Sequence, residues 1–429
     1  MKNVLLIGDL RTMINNYGAC ATSELLINGL KSCDINLKCI DARSMWNETP
    51  KDGWETDTVE YAKQCLLDSE KNEKRSRLRH FVKSIPIIYY LNSKRKENKK
   101  IFIPYDYSQY KEYADRVING EKMIYEKKLI DNADIVLINS EGNIVKGTDS
   151  NGYYRLGGLY VLFIAYLSKV VLNKPTYIIN HGVDPGNRDI IDIIKNVYPL
   201  LDGVFVRENL SIDLLRKWGV TNTKFVADAL FLYNKTKIEA HHCDVYLSQR
   251  DYSKKLVCIG DSSGIQSPYN KVGWDVIDFY KKLINKYQEN GYQVAFVDGF
   301  NGLNYDVNEI VKQTKCIHLK MLNCSFEELY KVFEEAEIYV SGRWHTSILA
   351  VQAGTPIILW GADSHKTEAL YDLLDYKMRF FEVASLPLHI DDIFKESLKA
   401  INEFKKDEMS DKVKLLSDSA EYNYKIIIG

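Results

Sequence analysis

The chain has no apolar run long enough to span a bilayer, no cysteine pair at metal-site spacing, and no excess of charge of either sign. Its longest apolar stretch, LYVLFIAYLSKVVL at 159–172, is broken by Ser168 and Lys169. It falls short of the roughly 20 residues that a spanning helix needs and reads as a buried helix. The start MKNVLLIGDL places one Lys and four apolar residues before Gly8 and Asp9, too little for a signal peptide and well suited to a first strand. The eight cysteines (Cys20, Cys33, Cys39, Cys65, Cys243, Cys258, Cys316, Cys324) contain no CxxC, so they read as reduced, mostly buried thiols of a cytoplasmic protein. His241, His242 and Cys243 are adjacent, but neighbours in sequence seldom converge on one cation, and no metal is expected. A formal net charge of −1 over 429 residues argues against general nucleic-acid binding. No internal repeat or low-complexity tract is visible.

What is present is an ordinary globular composition, 45% hydrophobic and 27% charged, in a chain long enough to predict two domains with two cores. Charge is unevenly spread. Residues 71–100 hold eleven Lys or Arg against two Glu, a local +9 that leaves −10 for the remainder. A solvated insertion is the plainer reading; the apolar centre HFVKSIPIIYYL between two basic blocks also suits peripheral contact with an anionic membrane surface or an anionic glycan.

Strand-like runs alternate with helical stretches, as in doubly wound parallel sheets. Strands are expected at 4–8, 37–40, 135–139, 176–180, 203–206 and 224–227, with helices near 18–31, 157–172, 187–201 and 208–218. The pattern restarts with strands at 256–260, 292–297, 337–340 and 356–360, and helices near 274–290, 325–335 and 343–353. The expected fold is α/β, two Rossmann-like parallel-sheet domains facing a central cleft. Residues 1–235 form the N-terminal, acceptor-side domain, with the basic insertion at about 44–130. Residues 254–390 form the donor-binding domain, and the helices of 391–429 are expected to cross back. Ligands of such folds lie in the cleft, at the C-terminal strand ends.

Several strand ends carry polar residues that packing does not explain. VSGRWHTSILAVQAGTPIILW (340–360) sets Arg343 and His345 where an apolar strand meets an apolar helix, a place suited to an anion because helix N–H groups and two donating side chains converge there. An isolated Arg-x-His has a plainer reading, an Arg paired with an acidic residue of the facing domain. After the next strand, GADSHK brings Ser364, His365 and Lys366 to the same edge. INSEGN (138–143) reads as a tight turn carrying Glu141, a candidate general base; Arg207 ends the strand GVFV; and GDSSG (260–264) could offer backbone N–H groups.

In this order the stretches NNYGACATSELL (15–26), NSEGNI, VRENLS, VADALF with Asp228, and GRWHTSILAVQAGTPIILWGADSHK resemble the polysaccharide pyruvyl transferase family. The sequence departs from the family pattern at Ser140, where Gly is usual, and in the basic insertion. The resemblance implies a fold similar to the GT-B glycosyltransferases and transfer of the pyruvyl group of phosphoenolpyruvate onto hydroxyls of a cell-surface polysaccharide or its precursor, in exopolysaccharide or capsule biosynthesis. It implies no cofactor: the partners are a small-molecule donor and a glycan acceptor. Arg343, Lys366, Arg207 and Ser364 would take the donor's anions, His345 would contact phosphate or donate a proton, and Glu141 would serve the acceptor hydroxyl. Asn16, Gly18, Ser140 and Gly142 would line the acceptor side. A glycosyltransferase using a nucleotide-activated, acidic sugar is the alternative, and a non-catalytic glycan-binding module a third. The sequence leaves the oligomeric state open.

Overall fold

The computed structural model describes residues 1–8, 17–41, 102–145, 156–185, 188–235, 241–266, 272–299, 305–320 and 323–428. Asn16 and the basic segment 71–100, with its expected membrane contact, lie outside them. Two parallel sheets organise the chain. The first comprises β1 (Lys2–Gly8), β2 (Ile35–Asp41), β3 (Ile135–Val145), β4 (Thr176–Asp184), β5 (Gly203–Val206) and β6 (Thr223–Phe225), in the order β2-β1-β3-β4-β5-β6. The second comprises β7 (Leu256–Ser262), β8 (Gln293–Asp298), β9 (Ile317–Lys320), β10 (Ala336–Gly342) and β11 (Ile357–Leu359), in the order β11-β10-β7-β8-β9. The central strands are apolar runs because both faces are covered; in β1, Val4 to Ile7 are at most 1% exposed.

Two expectations are corrected. Residues 107–132 are not insertion: helices Tyr110–Ile118 and Ile124–Asn132 belong to the first domain. Tyr110, Ala114 and Val117 form an apolar stripe at helical spacing, and together with Ile130 they join the core under Leu5, Ile7 and Val136. Nor are there two separate cores. Each sheet has an outer cluster, and a third cluster joins Leu6, Leu137 and Ile179 of the first sheet with Cys258, Ala295 and Val297 of the second, through Phe231, Trp344 and Ile348.

The stretch 159–172 is helical, Leu156–Tyr166 continued by a π-helical turn, Leu167–Val171; it is buried to Ser168, apart from half-buried Tyr166, and then emerges, with Val170 exposed. No helix among the described residues is long and apolar enough to cross a membrane. Helix Ile390–Glu403 packs on β10 and β11, whereas Lys406–Ala420 and Tyr422–Lys425 contact the first domain. There Asn423 accepts from the Asn180 amide (3.0 Å) and donates to the Ala227 carbonyl (2.9 Å).

Candidate active site

Strand order reverses direction between β1 and β3 in one sheet and between β7 and β10 in the other. Crevices open at such points beyond the C-terminal strand ends, and the polar residues of this chain gather there. Gly18 and Thr22 follow β1, Glu141 lies in β3, Arg207 follows β5 and Asp228 follows β6. From the second sheet come Asp261 at the end of β7, and Arg343 and His345 after β10.

At the centre is a buried charge network. Arg207 and Asp228 are 3% and 0% exposed and pair at 2.7 Å. Asp228 also accepts from Trp344 Nε1 (2.8 Å) and from the Leu230 amide (2.8 Å). Burial pushes its carboxyl up, but Arg207 and then His345 outweigh this and hold it well below the usual carboxylate range. His345 Nε2 lies 3.4 Å from Arg207 Nη1 and 3.5 Å from Asp228 Oδ2. A donor and an acceptor flank one ring nitrogen, so either protonation state of His345 finds a partner, as a proton-transfer group requires. Among the described residues Arg207 Nε is buried without a hydrogen-bond partner, an uncompensated donor of the kind that a bound anion satisfies.

Glu141 faces this network. INSEGN is not a turn: β3 continues to Val145, with its register against β4 broken between Glu141 and Ile144. Glu141 takes φ +42° at the break, strain of about 1–3 kcal/mol of the sort that functional sites retain. Its carboxylate accepts from Thr22 Oγ1. Burial pushes its pKa up, against the pull of His345 and Arg207. His181 braces it from β4. Burial drives that imidazole's pKa down to about 3, so the ring is neutral, with Nδ1–H directed at the Glu141 carbonyl (3.3 Å) and Nε2 accepting from Tyr198 (2.9 Å).

Gly18 packs on the catalytic candidate itself. A Cβ added there would lie 1.9 Å from His345 Nδ1, so no other residue fits without moving the ring. Gly18→Ala is therefore expected to lower turnover by about 10²-fold through misplacement and, as overpacking, to cost about 1–3 kcal/mol of stability. Undiminished turnover would contradict a chemical role for His345 at this position.

The remaining candidates fall into place unevenly. Arg343 is not an open cation: Nε and Nη2 bond both oxygens of buried Asp261, at 2.7 and 2.6 Å, and this partner belongs to its own domain. Lys366 pairs with Asp363 (2.5 Å), which also accepts from Ser263 Oγ (3.0 Å) and acts on the charge of Arg343. Ser364 is partly exposed in the same loop. Ser140 Oγ is buried without a partner among the described residues, and Gly142 occupies the β3 irregularity. Thr22, His181 and Asp261 carry no sequence signal of their own; each is recognisable only once the strands align. Away from the cleft, Cys243, Cys324 and Glu328 are, among the described residues, the group whose donor atoms could hold a metal ion, all within 4.8 Å of one another. His242 instead pairs with Glu335 (2.9 Å).

Comparison with known proteins gives a family and a fold. The family model for polysaccharide pyruvyl transferase matches residues 16–363. The amylovoran biosynthesis protein AmsJ of Erwinia amylovora is 23% identical over 208 residues, 45% of this chain, and the match spans half of that protein's length. Among solved structures, the UDP-GlcNAc 2-epimerase of Neisseria meningitidis bound to UDP-GlcNAc superposes with a TM-score of 0.53 at 12% identity, covering 98% of this chain and 99% of that one. UGT71G1 of Medicago truncatula complexed with UDP-glucose gives 0.50 at 11%, covering 100% and 98%. At such identities the likeness is one of fold, the two-domain GT-B arrangement. With four-fifths of its length matched by the family model, the chain belongs to the polysaccharide pyruvyl transferase family.

Proposed function

We propose that this protein is a transferase that moves the pyruvyl group of phosphoenolpyruvate onto two hydroxyls of one sugar in a polysaccharide or its precursor, forming an acidic cyclic ketal and releasing phosphate. The observation that carries this reading is the placement of His345 between Arg207 and Asp228, with Glu141 buried opposite. His345 protonates the methylene carbon of the enol, which becomes a methyl group while positive charge develops at the neighbouring carbon. Glu141 takes the proton of the first hydroxyl as its oxygen bonds to that carbon. The carbon–oxygen bond to phosphate then breaks, and the second hydroxyl closes the ring and gives up its proton to the departing phosphate. Arg207, with its uncompensated Nε donor, binds the donor's anionic groups, and Lys366 supports them. The added carboxylate suits a glycan of the cell envelope, such as capsule or exopolysaccharide.

The test is acceptor-dependent release of inorganic phosphate from phosphoenolpyruvate, with p-nitrophenyl hexosides that carry adjacent free hydroxyls. The product should gain the mass of a carboxyethylidene group. Release of UDP or CMP from nucleotide sugars, with no phosphate from phosphoenolpyruvate, would overturn the proposal in favour of glycosyl transfer.

A further inference from the structure

We propose that His365 is a charged latch between the two domains, a positioning residue that fixes the loop after β11, and with it Lys366, over the ends of β4 and β5. His365 caps the helix Lys366–Leu374 of the second domain. Its Nε2 lies 3.3 Å from Glu208 Oε1 and its Nδ1 3.6 Å from Asp184 Oδ2, both in the first domain. An imidazole directs its two nitrogens to different sides, so a ring that faces one carboxylate with each nitrogen at ion-pair distance pairs with both only when doubly protonated.

The first-domain side is rigid. Glu208 is 1% exposed and caps the helix Asn209–Lys217, accepting from the Ser211 amide (2.6 Å) and the Ser211 hydroxyl. Asp184, at the end of β4, is 8% exposed. Two carboxylates held this close would raise one another's cost of ionisation, and the cation between them removes that cost. Adjacency then transmits the position. Glu208 follows Arg207 and Lys366 follows His365, so the ion pair sets the second-domain lysine in register with the first-domain arginine. The inference does not depend on which donor the cleft takes.

The groups facing the ring are Asp184 from β4 and Glu208 from the helix start; the neighbouring Asp363 and Lys366 pair with each other. Burial pulls the pKa of His365 down, but hydrogen bonds to Asp184 and Glu208 outweigh it and raise it to about 9. The folded value is raised, so the latch is fully formed below the ordinary histidine value of about 6.5 and is lost as pH rises through about 9.

Two substrate-free measurements test it. By NMR, the His365 ring of the intact chain should remain protonated at pH 8, and Asp184→Asn should shift its midpoint downward. By hydrogen exchange at neutral pH, His365→Gln should speed exchange of the loop 361–366 by about tenfold or more, and His365→Lys should restore protection. Titration of the wild-type ring near 6.5, or unchanged exchange in His365→Gln, would overturn the latch while leaving the reading of the donor untouched. In the transfer assay, His365→Gln should raise KM for the donor more than it lowers kcat.

Discussion

His345→Gln is expected to lower turnover by about 10²–10⁴-fold, the range for loss of a positioned proton-transfer group, with the unfolding midpoint nearly unchanged. Glutamine matches the reach of the ring and its amide can still meet Asp228 or Arg207, but it cannot carry a proton to carbon at neutral pH. The imidazole is partly open to the cleft, 14% exposed, and its separations of 3.4 and 3.5 Å are long for structural bonds. The fold therefore depends little on it. Steady-state kinetics and a thermal scan of the same preparation separate the two effects. A variant that keeps more than a tenth of wild-type turnover would remove His345 from the chemistry.

Arg207→Met is expected to act on both function and stability. Asp228 is fully buried and its charge is carried mainly by Arg207, so removing the guanidinium leaves an uncompensated charge, a loss of about 3–5 kcal/mol. The side chain also lies over the Trp344 ring at 5.4 Å, and methionine recovers part of that packing. Adding Asp228→Asn should restore some of the stability, because no buried charge then remains, but none of the activity. The carboxyl's pKa is depressed in the fold, so the pair's contribution is present above about pH 3.9, its unfolded value, and is lost only as pH falls through the folded one. Urea unfolding between pH 5 and 8 should accordingly show a constant deficit. An Arg207→Met protein as stable as wild type would contradict the buried-pair account.

The fold was legible best where strands are continuous apolar runs, as in β1, β5, β7 and β8, and ten of the eleven described strands were placed. β9 was missed because Ile317 and Leu319 alternate with the half-buried His318 and Lys320 over four residues, too short a signal beside a longer helical pattern. The helices of 107–132 were obscured by the charged stretch before them, although Tyr110, Ala114 and Val117 keep helical spacing. In the site, the cations were legible because Arg207, Arg343, His345 and Lys366 interrupt apolar sequence at strand ends. Asp228 was noted as well, but which cation meets which partner was not legible. Asp261 lies 82 positions from Arg343 and Asp228 lies 116 from Trp344, and only the alignment of strand ends brings them together. This pairing changes the meaning of Arg343, which appeared in sequence as an open anion ligand and is anchored by Asp261. It also raises Arg207, read only as one donor contact among four, to the centre of the network. Likewise Gly18, assigned to the acceptor side, sits against the ring of His345.

The most direct test of the central claim is calorimetric titration of the intact chain with phosphoenolpyruvate, UDP-linked sugars and CMP-linked sugars, repeated on Arg207→Met and His345→Gln. Saturable binding of phosphoenolpyruvate to the wild type, weakened at least about tenfold in Arg207→Met by loss of a charge-assisted contact, is the result predicted here. Binding of a nucleotide sugar with no heat from phosphoenolpyruvate would contradict it.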